Sequence, residues 1–273
     1  MIGRRAGSSQ LFLRTISALV MAPVALAAVW LGGAYLAALT LAAAAVMAWE
    51  WARLCGGGAL GRIGAGVTGM VTLAVLGAAF HGVAAGIILA LLGAIGVWAI
   101  ARREARREAG WLAAGVLWVG LPCVLLLWLA EGAEGRDLLL WIFAVVWATD
   151  IGAYLVGRWL GGPRLAPRWS PRKTWAGLVG GIVFAASAGW IVSHLLAAAP
   201  VLPLVSVSAG LAIIGQFGDL AESVAKRRFG VKDSSALIPG HGGLLDRLDG
   251  LLAVIPSVAL LSLIGGGSVL EWR

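Results

Sequence analysis

The amino-acid sequence predicts an all-α fold, a polytopic transmembrane helix bundle of about nine spans. The chain is 60% hydrophobic and only 12% charged, and its mean hydropathy of +0.94 is higher than a soluble domain of 273 residues tolerates. Apolar stretches of about 20 residues, the length that crosses the hydrocarbon core, recur along the chain. Because no hydrophilic block is large enough for a separate soluble domain, we predict a single integral membrane domain over residues 1–273.

Glycine and proline breaks divide the apolar sequence into separate helices. Such breaks occur at Gly32 and Gly33 and at Pro200 and Pro203, and they are typical of the segments between helices. The predicted spans are residues 14–31, 34–53, 63–79, 83–100, 111–130, 137–157, 175–196, 204–222 and 250–267. Residues 1–135 hold the N-terminal spans, and residues 136–273 hold the C-terminal spans, which are predicted to carry the functional site.

The distribution of Lys and Arg predicts the orientation of these spans. With the N-terminus in the cytoplasm, all of the 21 Lys and Arg residues except Arg136 and Arg273 lie on the inner side. Cytoplasmic loops retain positive charge, so this bias supports both the orientation and the number of spans. The same bias accounts for most of the net charge of +8, and no nucleic-acid partner is expected.

Carboxylates concentrate at the inner ends of the predicted C-terminal spans. An ionisable group at membrane depth is costly and usually faces a cavity, a partner or a substrate. Asp219 and Glu222 are three residues apart, as are Asp246 and Asp249, and this spacing places each pair on one face of a helix. Asp150 lies at the same side of the membrane. Neighbouring carboxylates repel one another unless a cation neutralises them, and oxygen-only ligands favour Mg²⁺ or Mn²⁺.

A polar loop at residues 223–250 adds basic residues and glycines to these carboxylates. Lys, Arg and glycine beside a metal form a pattern that suits a metal-bound polyphosphate. Each feature also has a structural explanation, since acidic residues favour helix starts and basic residues favour inner loops. His241 could act as a base, a phosphate donor or a structural link, and we favour hydrogen bonding. For Glu50, which lies between two tryptophans, we predict a structural role.

Within this loop, the motif SVAKRRFGVKDSSALIPGHGGLLDRLDG at 223–250 resembles the signature of the phosphatidate cytidylyltransferase family. Two upstream segments also resemble that family, TDIGAYLVGRWLGGPRLAPRWSPRKTWAG at 149–177 and GDLAESVAKR at 218–227. These motifs cover about the C-terminal half of the chain. The sequence departs from the family at Ala176, where a glutamate is usual.

The resemblance implies an enzyme that transfers CMP from CTP to phosphatidic acid and releases pyrophosphate. It implies CTP, phosphatidic acid and membrane lipids as partners, and Mg²⁺ as the cofactor, with Mn²⁺ and a second cation as alternatives. The expected location is a bacterial-type inner (plasma) membrane, with the active site facing the cytoplasm. A homodimer is suggested by the resemblance alone.

The same resemblance, together with the charge pattern, assigns roles to individual residues. The predicted metal ligands are Asp219, Asp246 and Asp249. The predicted catalytic residues are Asp219, Asp246, Lys226, Arg227 and His241. The predicted substrate-binding residues are Lys173, Ser223, Lys232, Asp233, Gly242, Gly243, Arg247 and Asp150.

Two other classes of membrane protein compete with this interpretation. A transporter would place polar groups along the whole depth of the membrane. The outer half of the spans offers little beyond His81 and His194, which favours a one-sided enzyme. Another nucleotide-using membrane enzyme, such as a lipid kinase or a CDP-alcohol phosphotransferase, is the second rival. The aspartate-rich pattern of the latter is absent from the sequence.

Overall fold

The computed structural model describes Ser17 and residues 19–104, 106–196, 200–238 and 242–272. Helices dominate the described residues, which confirms the all-α prediction. In chain order they are α1 (Leu19–Leu31), α2 (Gly33–Cys55), α3 (Gly61–His81), α4 (Val83–Arg103), α5 (Ala109–Ala130), α6 (Gly135–Leu160), α7 (Trp175–Leu195), α8 (Val201–Arg228) and α9 (Leu245–Ile264). A 3₁₀ turn at Val269–Glu271 follows α9.

Eight helices in the described part of the chain, α2 to α9, are long and apolar enough to cross a membrane. Their positions agree with the predicted spans to within a few residues. The largest differences are at α8, which continues to Arg228, and at α9, which begins at Leu245. The predicted first span at 14–31 is described over Leu19–Leu31 as a shorter apolar helix, and most of its beginning lies outside the described residues.

A short β-hairpin, which the sequence does not predict, connects α6 to α7. Strand β1 (Arg164–Ala166) pairs in antiparallel fashion with β2 (Ser170–Thr174). Thr174 ends β2 and also caps α7, because its side chain accepts a hydrogen bond from the Gly177 amide at 3.0 Å. A Thr at this position satisfies one of the free N–H groups of the first helical turn. The hairpin is therefore continuous with α7.

The chain divides into two compact units, each made of two segments. The described residues of Met1–Leu127 and Arg228–Leu248 form the first unit, and those of Trp128–Arg227 and Asp249–Arg273 form the second unit. The polar loop after α8 thus belongs to the same unit as the N-terminal spans. The single-domain prediction for residues 1–273, with its division at residue 135, is not tested by these units and stays a prediction.

In the first unit, aromatic contacts fix the C-terminal end of α2. The indole N–H of Trp51 donates to the Trp111 carbonyl at 2.8 Å. Trp111 in turn packs edge-on against Phe229, with ring centroids 5.9 Å apart and ring planes at 83°. Gly115 lies directly against the Trp51 ring, where a side chain would collide with it. Tilted and edge-on aromatic pairs of this kind are favourable, so α2, α5 and the start of the polar loop are held together.

In the second unit, small residues let the helices approach closely. A Cβ atom on Gly152 of α6 would lie 2.6 Å from the Gly180 carbonyl oxygen of α7. On α8, a Cβ atom on Gly218 would lie 2.8 Å from the Asp249 carbonyl oxygen of α9. Membrane helices depend on such small-residue contacts, because lipid provides no hydrophobic force between them. The glycine next to Asp219 thereby brings α8 against the turn that carries Asp249.

Candidate active site

Four carboxylates from three helices of the second unit lie near one another. Asp150 comes from α6, Asp219 and Glu222 come from α8, and Asp249 comes from α9. Asp249 is within electrostatic range of the other three. We call Asp150, Asp219, Glu222 and Asp249 the carboxylate cluster. Like charges this close destabilise one another unless positive charge is placed beside them.

Two lysines supply positive charge to the carboxylate cluster. Lys173, near the end of β2, places its Nζ 2.6 Å from Asp219 Oδ2. Lys226, one turn after Glu222 on α8, places its Nζ 3.0 Å from Glu222 Oε1, and the Glu222 side chain is fully buried. The β-hairpin that connects α6 to α7 therefore places Lys173 beside Asp219.

Weaker contacts orient the remaining groups of this region. The Ser223 hydroxyl donates to Asp219 Oδ1 at 3.4 Å, a long hydrogen bond. The Gly250 amide donates to Asp249 Oδ1 at 2.8 Å. Arg227 is exposed, and its Nε donates to the Trp169 carbonyl at 3.4 Å, which connects the end of α8 to the turn of the hairpin.

The carboxylate cluster fits a divalent cation in its donor chemistry. Carboxylate oxygens are the ligands that Mg²⁺ prefers. Among the residues that the structure describes, no group of three or more His, Cys, Asp or Glu side chains is arranged so that it could hold a metal ion. Binding a cation would therefore require side-chain rearrangement within the cluster.

Asp246, in the first unit, has different surroundings. Its Oδ2 accepts three hydrogen bonds, from the Ser234 amide, the Ser234 hydroxyl and the Gly243 amide, each at 2.8 Å. Gly242 next to it has a φ of +85°, a conformation that favours glycine, and a Cβ there would lie 2.8 Å from Asp246 Oδ2. The carboxylate thus holds the turn that precedes α9.

Glu50, a residue that the sequence does not place in the site, contacts the same loop. Its side chain is fully buried near the end of α2. It accepts hydrogen bonds from the Ser235 hydroxyl at 2.6 Å and from the Leu244 and Leu245 amides at 3.0 and 2.7 Å. The signal for it is visible in the sequence, because a carboxylate inside an apolar span calls for a partner. The identity of that partner, almost 200 residues later, is not visible.

The chain matches the family model described as the cytidylyltransferase family over residues 12–264. The chain belongs to the cytidylyltransferase family. Proteins named phosphatidate cytidylyltransferase are similar to it along most of its length. The Brucella suis protein is 40% identical over 270 residues, which cover 94% of each chain. The Pseudomonas aeruginosa protein is 36% identical over 265 residues, covering 91% of this chain and 95% of the relative.

The suspected family resemblance is thereby confirmed, and it extends beyond the C-terminal half. A protein of the same name from Haemophilus influenzae is 45% identical over 128 residues, which cover 45% of this chain and 44% of the relative. The longer matches include the first spans as well. The N-terminal spans of a cytidylyltransferase are therefore part of what the family shares, and Glu50 lies in one of them.

The two units of this cytidylyltransferase hold different parts of the predicted site. The second unit contains Asp150, Lys173, Asp219, Ser223, Lys226, Arg227 and Asp249. The first unit contains Lys232, Asp233, Gly242, Gly243, Asp246 and Arg247. Lys232, Asp233 and Arg247 are exposed. His241 lies outside the described residues. The individual catalytic, substrate and metal roles, including the metal role of Asp246, stay predictions.

Proposed function

We propose that this protein is a phosphatidate cytidylyltransferase. A phosphate oxygen of phosphatidic acid attacks the α-phosphorus of CTP, the bond between the α-phosphorus and the bridging oxygen breaks, and pyrophosphate leaves. The products are CDP-diacylglycerol and pyrophosphate. The observation that carries the proposal is the match to proteins of that name over more than nine-tenths of this chain, at 36% and 40% identity.

The lysines of the second unit suit this chemistry. The attacking phosphate is already an anion, so the main barriers are the approach of two anions and the charge that develops on the departing pyrophosphate. Lys173 and Lys226 provide fixed positive charge beside Asp219 and Glu222. Fixed positive charge of this kind lowers both barriers, because it requires little reorganisation during the reaction. Positioning and charge, more than proton abstraction, are what these residues provide.

We further propose that Asp219 and Asp249 hold a Mg²⁺ or Mn²⁺ ion, with Asp150 and Glu222 in support. The grouping of carboxylate oxygens around Asp249 supports this proposal. When bound, the ion would orient the CTP phosphates and neutralise charge on them. The number of ions is a separate question, which metal titration of the purified protein answers.

The proposed location is the inner membrane of a bacterium, with the carboxylate cluster at the cytoplasmic side. The positive-inside bias supports that orientation. It also suits the substrates, because CTP is soluble in the cytosol while phosphatidic acid keeps its acyl chains in the leaflet. Trp159, near the end of α6, is 84% exposed and suits the membrane interface. We also propose a homodimer, which is supported by the family resemblance alone.

The decisive experiment uses purified protein with phosphatidic acid, Mg²⁺ and CTP labelled at either the α- or the γ-phosphate. A cytidylyltransferase puts the α-label into lipid and the γ-label into pyrophosphate, in equal amounts. A lipid kinase puts the γ-label into lipid instead. EDTA should stop the reaction, and added Mg²⁺ should restore it. Absence of α-labelled lipid under these conditions would reject the proposed function.

A further inference from the structure

Glu50 is a fully buried carboxylate, near the end of α2, in a protein whose predicted site residues all come from position 150 onward. Burying a carboxylate is costly, and an apolar side chain of similar size usually stabilises a helix contact better. A carboxylate at such a position therefore calls for a specific set of donors. Glu50 has such a set. Among the described residues, its hydrogen-bond donors come from the loop between α8 and α9 and from the first residue of α9.

The donors lie at two places in that loop, whose described residues are 229–238 and 242–244. The hydroxyls of Ser234 and Ser235 lie 3.4 and 2.6 Å from the Glu50 oxygens. The amides of Leu244 and Leu245 lie 3.0 and 2.7 Å away. One carboxylate thus ties together two points that are about ten residues apart in the chain.

Glu50 also satisfies the start of α9. The first N–H groups of a helix have no partner within the helix, and the helix dipole favours negative charge beside them. In α9 this partner comes from another helix, because Leu245 is the first residue of α9 and its amide donates to Glu50. Ser234 connects Glu50 to Asp246, since its hydroxyl lies within hydrogen-bond distance of both carboxylates.

The backbone at Gly243 packs closely against the Glu50 carboxylate. A Cβ atom on Gly243 would collide with the Ser234 hydroxyl and lie 2.7 Å from the Glu50 carboxyl carbon. Gly242 and Gly243 are predicted substrate-binding residues, and the Gly243 amide already donates to Asp246 Oδ2 at 2.8 Å. A small displacement of Glu50 would therefore be transmitted directly to the backbone of Gly243.

We infer that Glu50 is a positioning residue for CTP, which holds the described residues 229–238 and 242–244 in the arrangement that binds the nucleotide. This inference rests on the proposed function. It assigns to α2, one of the N-terminal spans, a part in nucleotide binding without direct contact to the substrate. It also separates Glu50 from a residue that only stabilises the fold, because the two roles predict different kinetics.

The test compares Glu50→Gln with wild-type protein in steady-state assays at varied CTP and varied phosphatidic acid. Glutamine keeps the shape but presents an NH₂ group to donors. At least one of three donors, the Ser235 hydroxyl and the Leu244 and Leu245 amides, therefore loses its acceptor. We expect the KM for CTP to rise about tenfold, as for the loss of one or two buried hydrogen bonds. The KM for phosphatidic acid should stay within about twofold. The matched control is Glu134→Gln, an exposed glutamate in the turn before α6, which should leave both values unchanged.

A purely structural role gives another result, because a smaller folded fraction lowers the apparent kcat and leaves both KM values unchanged. That outcome would overturn the inference. If Glu50→Gln does not fold, Ser235→Ala serves as the second variant, since it removes the 2.6 Å hydrogen bond and leaves the backbone bonds to Glu50 in place. It should also raise the KM for CTP, by a smaller factor.

A double-mutant cycle shows whether Glu50 acts through the loop. Residues that share one hydrogen bond give non-additive effects. The double variant Glu50→Gln with Ser235→Ala should therefore raise the KM for CTP by clearly less than the product of the two single effects. Strictly multiplicative effects would contradict the inference.

The assay also separates this inference from the proposed function. If the wild-type protein forms no CDP-diacylglycerol at all, the proposed function is rejected. An active wild type with an unchanged Glu50→Gln variant refutes the positioning role alone.

Discussion

The carboxylates of the two units have different partners. In the first unit, Glu50 and Asp246 are surrounded by backbone amides and serine hydroxyls, at distances of 2.6 to 3.4 Å. In the second unit, four carboxylates lie near one another with two lysines beside them. The first arrangement consists of neutral hydrogen-bond donors, and in the second like charges repel one another.

This difference distinguishes carboxylates that hold a loop in place, which we call anchors, from carboxylates that can bind a ligand. A carboxylate that already accepts hydrogen bonds from neutral donors loses those bonds if it rotates toward another partner, so it stabilises one loop conformation. A carboxylate that repels neighbouring carboxylates is stabilised when a cation binds beside it. We therefore expect substitutions of Glu50 and Asp246 to act through the geometry of the loop, and substitution of Asp219 to act on the reaction itself.

The largest effect is expected for Asp219→Asn. Asp219 contacts Lys173 at 2.6 Å and is partly exposed, so it can reach a cation or substrate. Loss of its charge should lower kcat/KM about 1,000-fold, equivalent to about 4 kcal/mol, while the melting temperature changes little. Isothermal titration should also show weaker Mg²⁺ binding. The control is Asp137→Asn in the first turn of α6, which should keep full activity. Normal turnover by Asp219→Asn would remove the carboxylate cluster from the mechanism.

The second largest effect is expected on the free energy of unfolding, when the ion pair between Lys226 and Glu222 is broken. Lys226→Met leaves the fully buried Glu222 without the lysine that lies 3.0 Å from it. Removing one partner of a buried ion pair costs about 3 kcal/mol, because the remaining buried charge loses that favourable interaction. Adding Glu222→Gln should recover much of that loss. Chemical denaturation in detergent measures both variants. If the double variant is no more stable than Lys226→Met, the pair does not act as a unit.

Local sequence patterns predict the spans and the carboxylate cluster well for a physical reason. Membrane crossing depends on about 20 consecutive apolar residues, so hydropathy locates α2 to α9 within a few residues. The cluster follows from the same rule, since Asp150, Asp219 and Asp249 are placed near the same ends of neighbouring spans. Local pattern could not predict the hairpin at 164–174, whose strands are only three and five residues long.

The contact between Glu50 and Leu245 shows the other limit of sequence analysis. It depends on how α2 packs against a loop 195 residues away, and no local periodicity encodes that packing. The spacing of Asp246 and Asp249 correctly places both residues on one helix, α9. It does not show that Asp246 accepts hydrogen bonds from the loop before that helix. Charge patterns find the residues that matter, while their partners require tertiary structure.

A third prediction tests whether Asp246 is only an anchor. Asp246→Ala leaves the Ser234 amide, its hydroxyl and the Gly243 amide without their common acceptor, and should cost about 2 kcal/mol of stability. Asp246→Asn keeps one acceptor oxygen and should recover more than half of that loss. Thermal unfolding measures both. Turnover by a stable Asp246→Asn variant then decides the predicted metal role, because full activity would show that its negative charge is not required.

The smallest effect is expected for Ser223→Ala, and it sharpens the description of the carboxylate cluster. The Ser223 hydroxyl donates to Asp219 Oδ1 at 3.4 Å, which is a weak hydrogen bond. If Ser223 only orients Asp219, its loss should lower kcat/KM about threefold, or about 0.6 kcal/mol. A direct bond to a substrate phosphate would be charge-assisted and stronger, and its loss would exceed about tenfold. Ser223→Thr separates the two cases further. It keeps the hydroxyl and should restore the weak bond to Asp219, whereas the added methyl group would still obstruct a substrate phosphate.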